Sequence, residues 1–550
     1  MASTITPKLL ENLLSSFRYE LACGGDTHTA GSSASLARTD LDRELEVIQR
    51  TPDSVAAHEL ARQIRSRLNQ FSLLHRLPTE LISTIFHFVV ESDTLEGWPA
   101  KHAVRISSVS RLWREIATET CATLWTRLDP LPSRLLDLFL SRSGTAPLAI
   151  AYEGSYSRNM LPYIHRWGIC RVQLYTSEEP PLQELSVPAP QLEVLRFDVG
   201  PRESISYLNL FCGVTPRLRE IYIDFSHIPM SCPIFRGLTG LHLYCIAYRE
   251  PNPIDQLLGI LELCPLMKSI SFTCLVFPTL PIAPMPGPLI TLRYLQNLDL
   301  EEGRGQSRQW ARTHFLPRII VPNSCTLDIG ASVRWGDDLR HLLPQRSDFL
   351  PNLSDIQPVR VLDVSCWGER SSCVRGKTFV SDRVAFVLSL ERFGEPDGND
   401  DRNAFPRTIS SIGRALPLPL LEEVALSQSR PCDSDPTSAL KSFFRIYPSL
   451  RIVRLRGHWP WSSILDLFVV TPTRQLCPLL QDLWLAPDEP LDGKVLLEVV
   501  KSRTAPEVDS PHLCGVAPLQ HVYFDPNHER PSSSVRAALR TYVTASFKAF

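Results

Sequence analysis

The 550-residue sequence lacks the local signatures of the common enzyme classes. It has no G-x-S-x-G elbow, no Walker phosphate loop, no H-E-x-x-H and no G-x-G-x-x-G. Its 14 cysteines include no C-x-x-C pair. His512 and Cys514 stand close together, as do His242 and Cys245, but no third ligand follows at zinc spacing. The expectation is a protein that is not an enzyme and holds no metal or cofactor. Charge of one sign is also missing: 57 basic residues face 59 acidic ones, for a net charge of -2. No run of Lys and Arg builds the clustered basic face that nucleic acid needs, so no nucleic-acid partner is expected. No apolar run approaches the roughly 18 residues of a membrane span, so no membrane partner is expected either.

The N-terminal stretch MASTITPKLLENLLSSF has neither the basic region nor the apolar core of a signal peptide. The tail SFKAF is not a prenylation box. Both point to the cytoplasm, with the nucleus as the alternative. In that compartment Cys170, Cys245, Cys264 and Cys274, which sit beside apolar residues, read as buried free thiols. The glycosylation pattern Asn352-Leu353-Ser354 carries no meaning without secretion. The acidic pairs Asp337-Asp338 and Asp400-Asp401 read as solvated loops.

Glycine is scarce, at 25 residues, against 46 prolines spread along the chain. Because Pro cannot sit inside a helix or a central strand, that excess predicts many short elements with rigid connections. With 43% hydrophobic and 21% charged residues, the chain has the balance of a soluble globular protein.

Residues 1–38 contain the small-residue run GGDTHTAGSSAS, which reads as a flexible segment. Residues 39–72 are helical in pattern, with Leu41, Leu45 and Ile48 among charges. Thr51-Pro52 then offers a cap and a first-turn proline before Val55, Leu60, Ile64 and Leu68. The form expected is a helical hairpin or short coiled coil, either a partner helix or a brace. The apolar stripe is too short for a stable coiled coil, which favours the brace.

Residues 73–128 are the most informative. Leu77-Pro78 predicts an extended entry, because the residue before Pro avoids helical angles. A helix then begins at Pro78 or Thr79, with Glu80 near its positive end. Leu81, Ile82, Ile85, Phe86 and Val89 form a broad apolar face. After the polar loop ESDTLEGWPAKH a second helix is expected from about Ala103 to Thr118, with Val104, Ile106, Val109, Leu112, Trp113 and Ile116 apolar. Leu124 and Trp125 close the segment as a hydrophobic plug. Helices this small carry more apolar surface than they can bury alone, so some of it needs another domain or a partner.

After Arg134 the pattern changes to short strand-like pieces of shared form. They are PQLEVLRFDV at Pro190, PRLREIYIDF at Pro216, GLTGLHLYC at Gly237, PLMKSISFTC at Pro265 and TLRYLQNLDL at Thr291. Further on stand PVRVLDVSC at Pro358, PLLEEVALSQ at Pro419, PSLRIVRLRG at Pro448, PLLQDLWLAP at Pro478 and PLQHVYFDP at Pro518. Each carries apolar residues in the order L-x-x-L-x-L. The first apolar positions are 26 residues apart from Leu192 to Leu218, 49 from Leu218 to Met267 with the Gly237 piece between, and 28 from Met267 to Leu295. They are 29 apart from Leu421 to Leu450 and 30 from Leu450 to Leu480. The expected form over 135–550 is an irregular leucine-rich-repeat solenoid, with parallel strands on the concave face and helices or loops on the convex face. Return helices are expected at Ile254–Leu263, Ala439–Phe444 and Ile464–Val470. The alternative is an unrelated α/β domain whose strands begin with Pro-x-Leu. Gly303–Trp335 fits the repeat poorly, and Gly394–Phe405 reads as a mobile loop. Tyr222, Tyr244 and Trp484 are candidate contact residues on the strands, with a core role equally open.

The stretch 74–128 resembles the F-box. Leu77, Pro78, Glu80, Leu81, Ile85 and Phe86 match the first half of that pattern. Val109, Ser110, Arg111, Trp113, Arg114, Ala117, Leu124 and Trp125 match the second. The loop near Asp93–His102 is longer than in many members. The whole chain looks like a fungal-type F-box protein with C-terminal leucine-rich repeats, of class α+β or α/β. The resemblance implies the substrate-recognition subunit of an SCF-type cullin–RING ubiquitin ligase. The F-box helices would dock on the adaptor subunit, and through it on the cullin, while the repeat domain captures a protein substrate. Leu77, Pro78, Glu80, Leu81, Ile85, Phe86, Val109, Trp113 and Trp125 are then expected at the adaptor interface or in the segment's own small core. A protein-interaction scaffold outside any ligase is the alternative, ahead of an enzyme with an unrecognised site.

Overall fold

The computed structural model describes residues 38–46, 55–91, 100–128, 131–152, 154–174, 182–199, 210–278, 280, 287–303, 309–344, 356, 358–378, 383–393, 404–431, 435–504, 515–528 and 532–548. The readings made for residues 1–37, Thr51-Pro52, Asn352-Leu353-Ser354, 394–403 with Asp400-Asp401, and His512 with Cys514 lie outside the described residues. The chain divides into two compact units, residues 1–151 and 152–550.

The first unit is mainly helical. Helix α1 spans 38–46 and α2 spans Val55–Asn69, whose Ala61 and Ile64 are buried. Helix α3 is Thr79–Glu91, α4 is Ala100–Val109 and α5 is Arg111–Glu115. Strand β1 (Arg127–Leu128) pairs in parallel with β2 (Leu148–Tyr152), and α6 (Ser133–Arg142) connects them. The single helix expected from about Ala103 to Thr118 is broken. Ser110 takes extended angles (φ -155°, ψ 171°), and its hydroxyl accepts the Trp113 N–H, capping α5 anew. From Arg111 the chain stays helical, running on through a wider π-helical turn, Ile116–Thr120.

The second unit is built on a large, mostly parallel sheet. Its first strands are β3 (Trp167–Leu174), β4 (Val194–Val199), β5 (Glu220–Asp224), β6 (Gly240–Tyr244), β7 (Ser269–Thr273), β9 (Asn297–Glu302) and β11 (Thr326–Val333). They lie side by side in that order. A separate parallel pair joins β8 (Ile290–Thr291) to β10 (Ile319–Ile320). Next in the chain come β12 (Val359–Trp367), β13 (Ser371–Thr378) and β14 (Val384–Arg392). They enter the sheet in reverse: β14 lies beside β11, and β12 lies beside β15 (Glu423–Gln428). Strand β13 is antiparallel to both of its neighbours. The parallel order then resumes through β16 (Ile452–Gly457), β17 (Asp482–Pro487), β18 (His521–Phe524) and β19 (Thr544–Phe547). An all-parallel sheet was the expectation. The β12–β14 meander reverses one strand because its short turns permit only antiparallel neighbours.

Every piece that shares the L-x-x-L-x-L form contributes one of these strands. The first apolar residue of each, Leu192, Leu218, Met267, Leu295, Leu421, Leu450 and Leu480 among them, is buried. A further link recurs just ahead of the strands, one residue per repeat. Arg219 N–H donates to Glu193 O, Thr239 to Arg219 O, Lys268 to Thr239 O, Gln296 to Lys268 O and Thr326 to Gln296 O. At the far end, Phe225, Cys245 and Cys274 each follow a strand directly and take left-handed angles (φ 56°, 53° and 54°). Each donates its N–H to the next strand, at Tyr244 O, Thr273 O and Glu301 O. The chain therefore turns out of three successive strands in the same way.

Alternation divides the sheet into two faces. Leu195 and Phe197, Ile221 and Ile223, Leu241 and Leu243, Ile270 and Phe272, and Leu298 and Leu300 are buried in register. The connections carry α7 (Pro253–Glu262), α8 (Ala404–Ala415), α9 (Thr437–Ile446), α10 (Trp461–Asp466), α11 (Gly493–Thr504) and α12 (Ser533–Leu539). Their buried residues keep helical spacing, as Ile254, Leu257, Leu258 and Leu261 do in α7. Helices stand at all three expected return sites. The one expected over Ile464–Val470 starts earlier and stops at Asp466.

Four smaller readings are corrected. Gly303–Trp335 contains β11, a full member of the sheet. Phe405 lies in α8, not in a loop. Cys245 and Cys274 are only half-buried, since their left-handed positions lie at the strand ends, whereas Cys170 and Cys264 are buried. Asp338 is not a solvated loop residue: it is buried and caps the turn Leu339–His341.

Candidate functional site

The segment starting at Leu73 is organised by one proline. A short turn, Leu73–Arg76, ends at Leu77, whose extended backbone (φ -67°, ψ 144°) is what Pro78 imposes on its predecessor. The Pro78 carbonyl then accepts the N–H groups of Leu81 and Ile82, opening α3. Two apolar stripes run along this helix at four-residue spacing, one residue out of phase. Ile82, Phe86 and Val90 form the buried stripe. Leu81 and Ile85 are half-buried, and Val89 is 40% exposed.

Helix α4 is divided in the same way. Ala103 and Ile106 are buried, while Val109 at its end is 56% exposed. Leu112 and Trp113 on α5 are half-buried. The Trp113 ring rests on Phe86, with centroids 4.9 Å apart. Arg114 ties the two helices across the break, donating from Nε to Ser107 O at 2.9 Å.

Trp125 has no exposed surface. Its Nε1 donates to Ala117 O at 2.7 Å, Phe139 of α6 meets its ring edge-on at 4.9 Å, and the Arg142 guanidinium lies 4.2 Å over it. Burial holds Arg142 below its usual pKa, and Arg114 nearby adds to that shift. Cys121 is also enclosed here, and burial pushes its thiol up against a smaller opposite pull from a Ser83 hydrogen bond.

The residues expected at an adaptor interface therefore fall into two sets. Phe86 and Trp125 lie wholly inside and pack the segment's own core. Pro78, Glu80 and Val109 are exposed, and Leu77, Leu81, Ile85 and Trp113 are half-buried. Leu73 and Leu74, which the sequence reading did not single out, are 48% and 50% exposed. Their signal was an apolar pair just ahead of Leu77-Pro78.

The second candidate surface is the polar face of the sheet. Tyr222 lies there half-buried, its ring stacked on His242 at 4.2 Å with Arg196 4.8 Å over it. Tyr244 is 41% exposed. Trp484 is only 6% exposed, covered by Arg454 at 4.1 Å and Lys548 at 5.3 Å, with Tyr523 at 4.3 Å alongside. Near the middle of the face stand Asp299, Glu301 and Asp328. Burial, then the neighbouring carboxylates, raises the pKa of Glu301 and of Asp328. Among the described residues no group of three or more His, Cys, Asp or Glu is placed to hold an ion. No helix among them is long and apolar enough to cross a membrane.

No curated protein matches the chain. Residues 74–130 match the family described as F-box-like, and this helical segment is an F-box-like domain.

Proposed function

We propose that this protein is the substrate-recognition subunit of an SCF-type cullin–RING ubiquitin ligase. The observation that carries the reading is the accessible apolar stripe on the F-box-like domain. Leu81, Ile85 and Val89 run beside the buried Ile82, Phe86 and Val90, and Val109 lies open at the end of α4. An apolar helical face left accessible beside a complete core suits helix-in-groove docking, with anchors at helical spacing. In this reading the adaptor subunit takes that face and brings the cullin with it. The chain positions its partners and supplies no catalytic group of its own.

The sheet unit is then the capture domain, an irregular array of leucine-rich-repeat type. Three features support that: the parallel strands in common register, the backbone link repeated ahead of them, and the shared left-handed exit after β5, β6 and β7. Its polar face, with aromatic and charged side chains in rows, is the surface assigned to a protein substrate. The setting is the cytoplasm or the nucleus.

The test is a pull-down of purified adaptor subunit by the full chain and by a Leu81→Asp, Val109→Asp variant. Neither residue belongs to the buried core, so the variant is expected to match the wild-type circular dichroism spectrum. Two charged replacements at anchor positions should weaken binding by about a hundredfold. Wild type that folds but captures no adaptor would end the ligase reading. Adaptor capture from cell extract without cullin would turn it into that of a scaffold.

A further inference from the structure

We propose that the sheet unit holds a binding site for a small molecule carrying two or more phosphate groups, in a cationic cavity between α8 and the turns that flank β11. The cavity has a volume of about 480 Å³ and is lined by Arg312, Arg340, His341 and Arg414, with Leu343, Pro344 and Ala415 as an apolar wall. These residues come from three separate parts of the chain. Arg312 lies in the turn Ala311–Phe315, Arg340 and His341 lie in the turn Leu339–His341, and Arg414 is in the last turn of α8. No carboxylate is among the described lining residues.

Among the described residues the local charge balance is positive. Asp338 binds Arg340 at 2.9 Å and lies 3.7 Å from His341, whose other ring nitrogen is 3.2 Å from Asp337. Those two carboxylates are thus engaged by Arg340 and His341. They also face a further cation, the buried Arg392, whose Nε and Nη2 have no hydrogen-bond partner. Arg312 donates to the neutral Gln309 side chain, and Arg414 to the Ser410 carbonyl. Among the described residues, Arg312, Arg340, Arg392 and Arg414 thus stand against Asp337, Asp338 and Glu302. Burial raises Glu302 to about 7, so it supplies only part of a charge at neutral pH. The C-terminal end of α8 adds only about half a negative charge. Burial lowers the pKa of Arg312, while Asp338 and Glu302 pull it back up and Arg340 adds a smaller downward push.

Guanidinium forks match phosphate oxygens in pairs, and Arg312 and Arg414 come from separate elements, with neither forming an ion pair to a carboxylate among the described residues. One phosphate group would fill little of this volume, which falls in the range of small-molecule sites. A compound with several phosphates can meet both arginines at once while its remaining atoms lie against Leu343, Pro344 and Ala415.

The experiment is calorimetric titration of the full chain with tripolyphosphate at about 0.15 M salt, where non-specific attraction is largely screened. Inorganic phosphate serves as the comparison at matched ionic strength. Wild type should bind tripolyphosphate at least about tenfold more tightly than phosphate. Arg414→Gln, an exposed change that leaves the core untouched, should weaken it about tenfold, and Arg312→Gln with Arg414→Gln should abolish it. The control Lys494→Gln, Lys501→Gln removes the same charge from the exposed side of α11 and should change affinity less than about twofold. No tripolyphosphate binding by wild type, no preference over phosphate, or equal losses in the control and the arginine variants would each overturn the site.

Discussion

Glu302 ends β9 with its carboxylate enclosed, accepting the N–H groups of Gln309 at 2.6 Å and Ala311 at 2.8 Å. Burial outweighs those two hydrogen bonds and lifts its pKa to about 7. The folded chain therefore holds a proton that the unfolded chain releases near 4.5, the ordinary glutamate value. Its stabilising contribution is complete below that pH and is lost as pH rises toward 7. Glu302→Gln keeps an acceptor and never ionises. It should match wild type at pH 4 and exceed it at pH 8 by an amount on the order of 1–3 kcal/mol. Urea unfolding of both proteins at the two pH values reads the difference directly, and an equal gap at both would show that the carboxyl is not shifted. The two tryptophans of the F-box-like domain show what sequence conveys at this scale. Trp113 and Trp125 both read as large apolar residues at motif positions. Only their surroundings separate them: Trp125 is closed in by Phe139 and Arg142 from outside the motif, whereas Trp113 keeps one side open.

The break between α4 and α5 shows how local chemistry overrides periodicity. Val104, Ile106, Val109, Leu112, Trp113 and Ile116 keep helical phase across it, so the pattern alone predicts one helix. Ser110 ends the first helix because its hydroxyl serves the Trp113 N–H, which helical angles would not allow. Ser110→Ala should cost about 1 kcal/mol, the usual worth of such a cap. The same change should weaken adaptor binding, because Val109 and Trp113 flank the break. Thermal melts and the pull-down, run on one preparation, test both effects, and unchanged stability would show that the cap is not needed. The sheet repeats were legible because each begins with a buried apolar residue at nearly regular intervals. Their exits were not. Left-handed positions usually announce themselves as Gly or Asn, and here Phe225, Cys245 and Cys274 occupy them. Nor did any pattern reveal that β12, β13 and β14 enter the sheet in reverse, since alternation is the same for a strand running either way.

The chain pairs a small helical unit, which leaves apolar surface open, with a large sheet unit whose open face is polar and aromatic. If one binds the ligase and the other the substrate, the two losses should separate. Leu81→Asp with Val109→Asp should remove adaptor and cullin from purified complexes while proteins held by the sheet remain. Arg196→Glu with Tyr244→Ala should do the reverse, because both lie on the polar face and neither enters the F-box-like domain. Retained substrate should also accumulate with the first variant, since capture without cullin leaves it unmodified. Quantitative mass spectrometry of the three complexes distinguishes this from a single shared interface. In a shared interface either pair of changes would lose both sets of partners by comparable factors. A division of labour predicts that each pair costs one set at least about tenfold and spares the other.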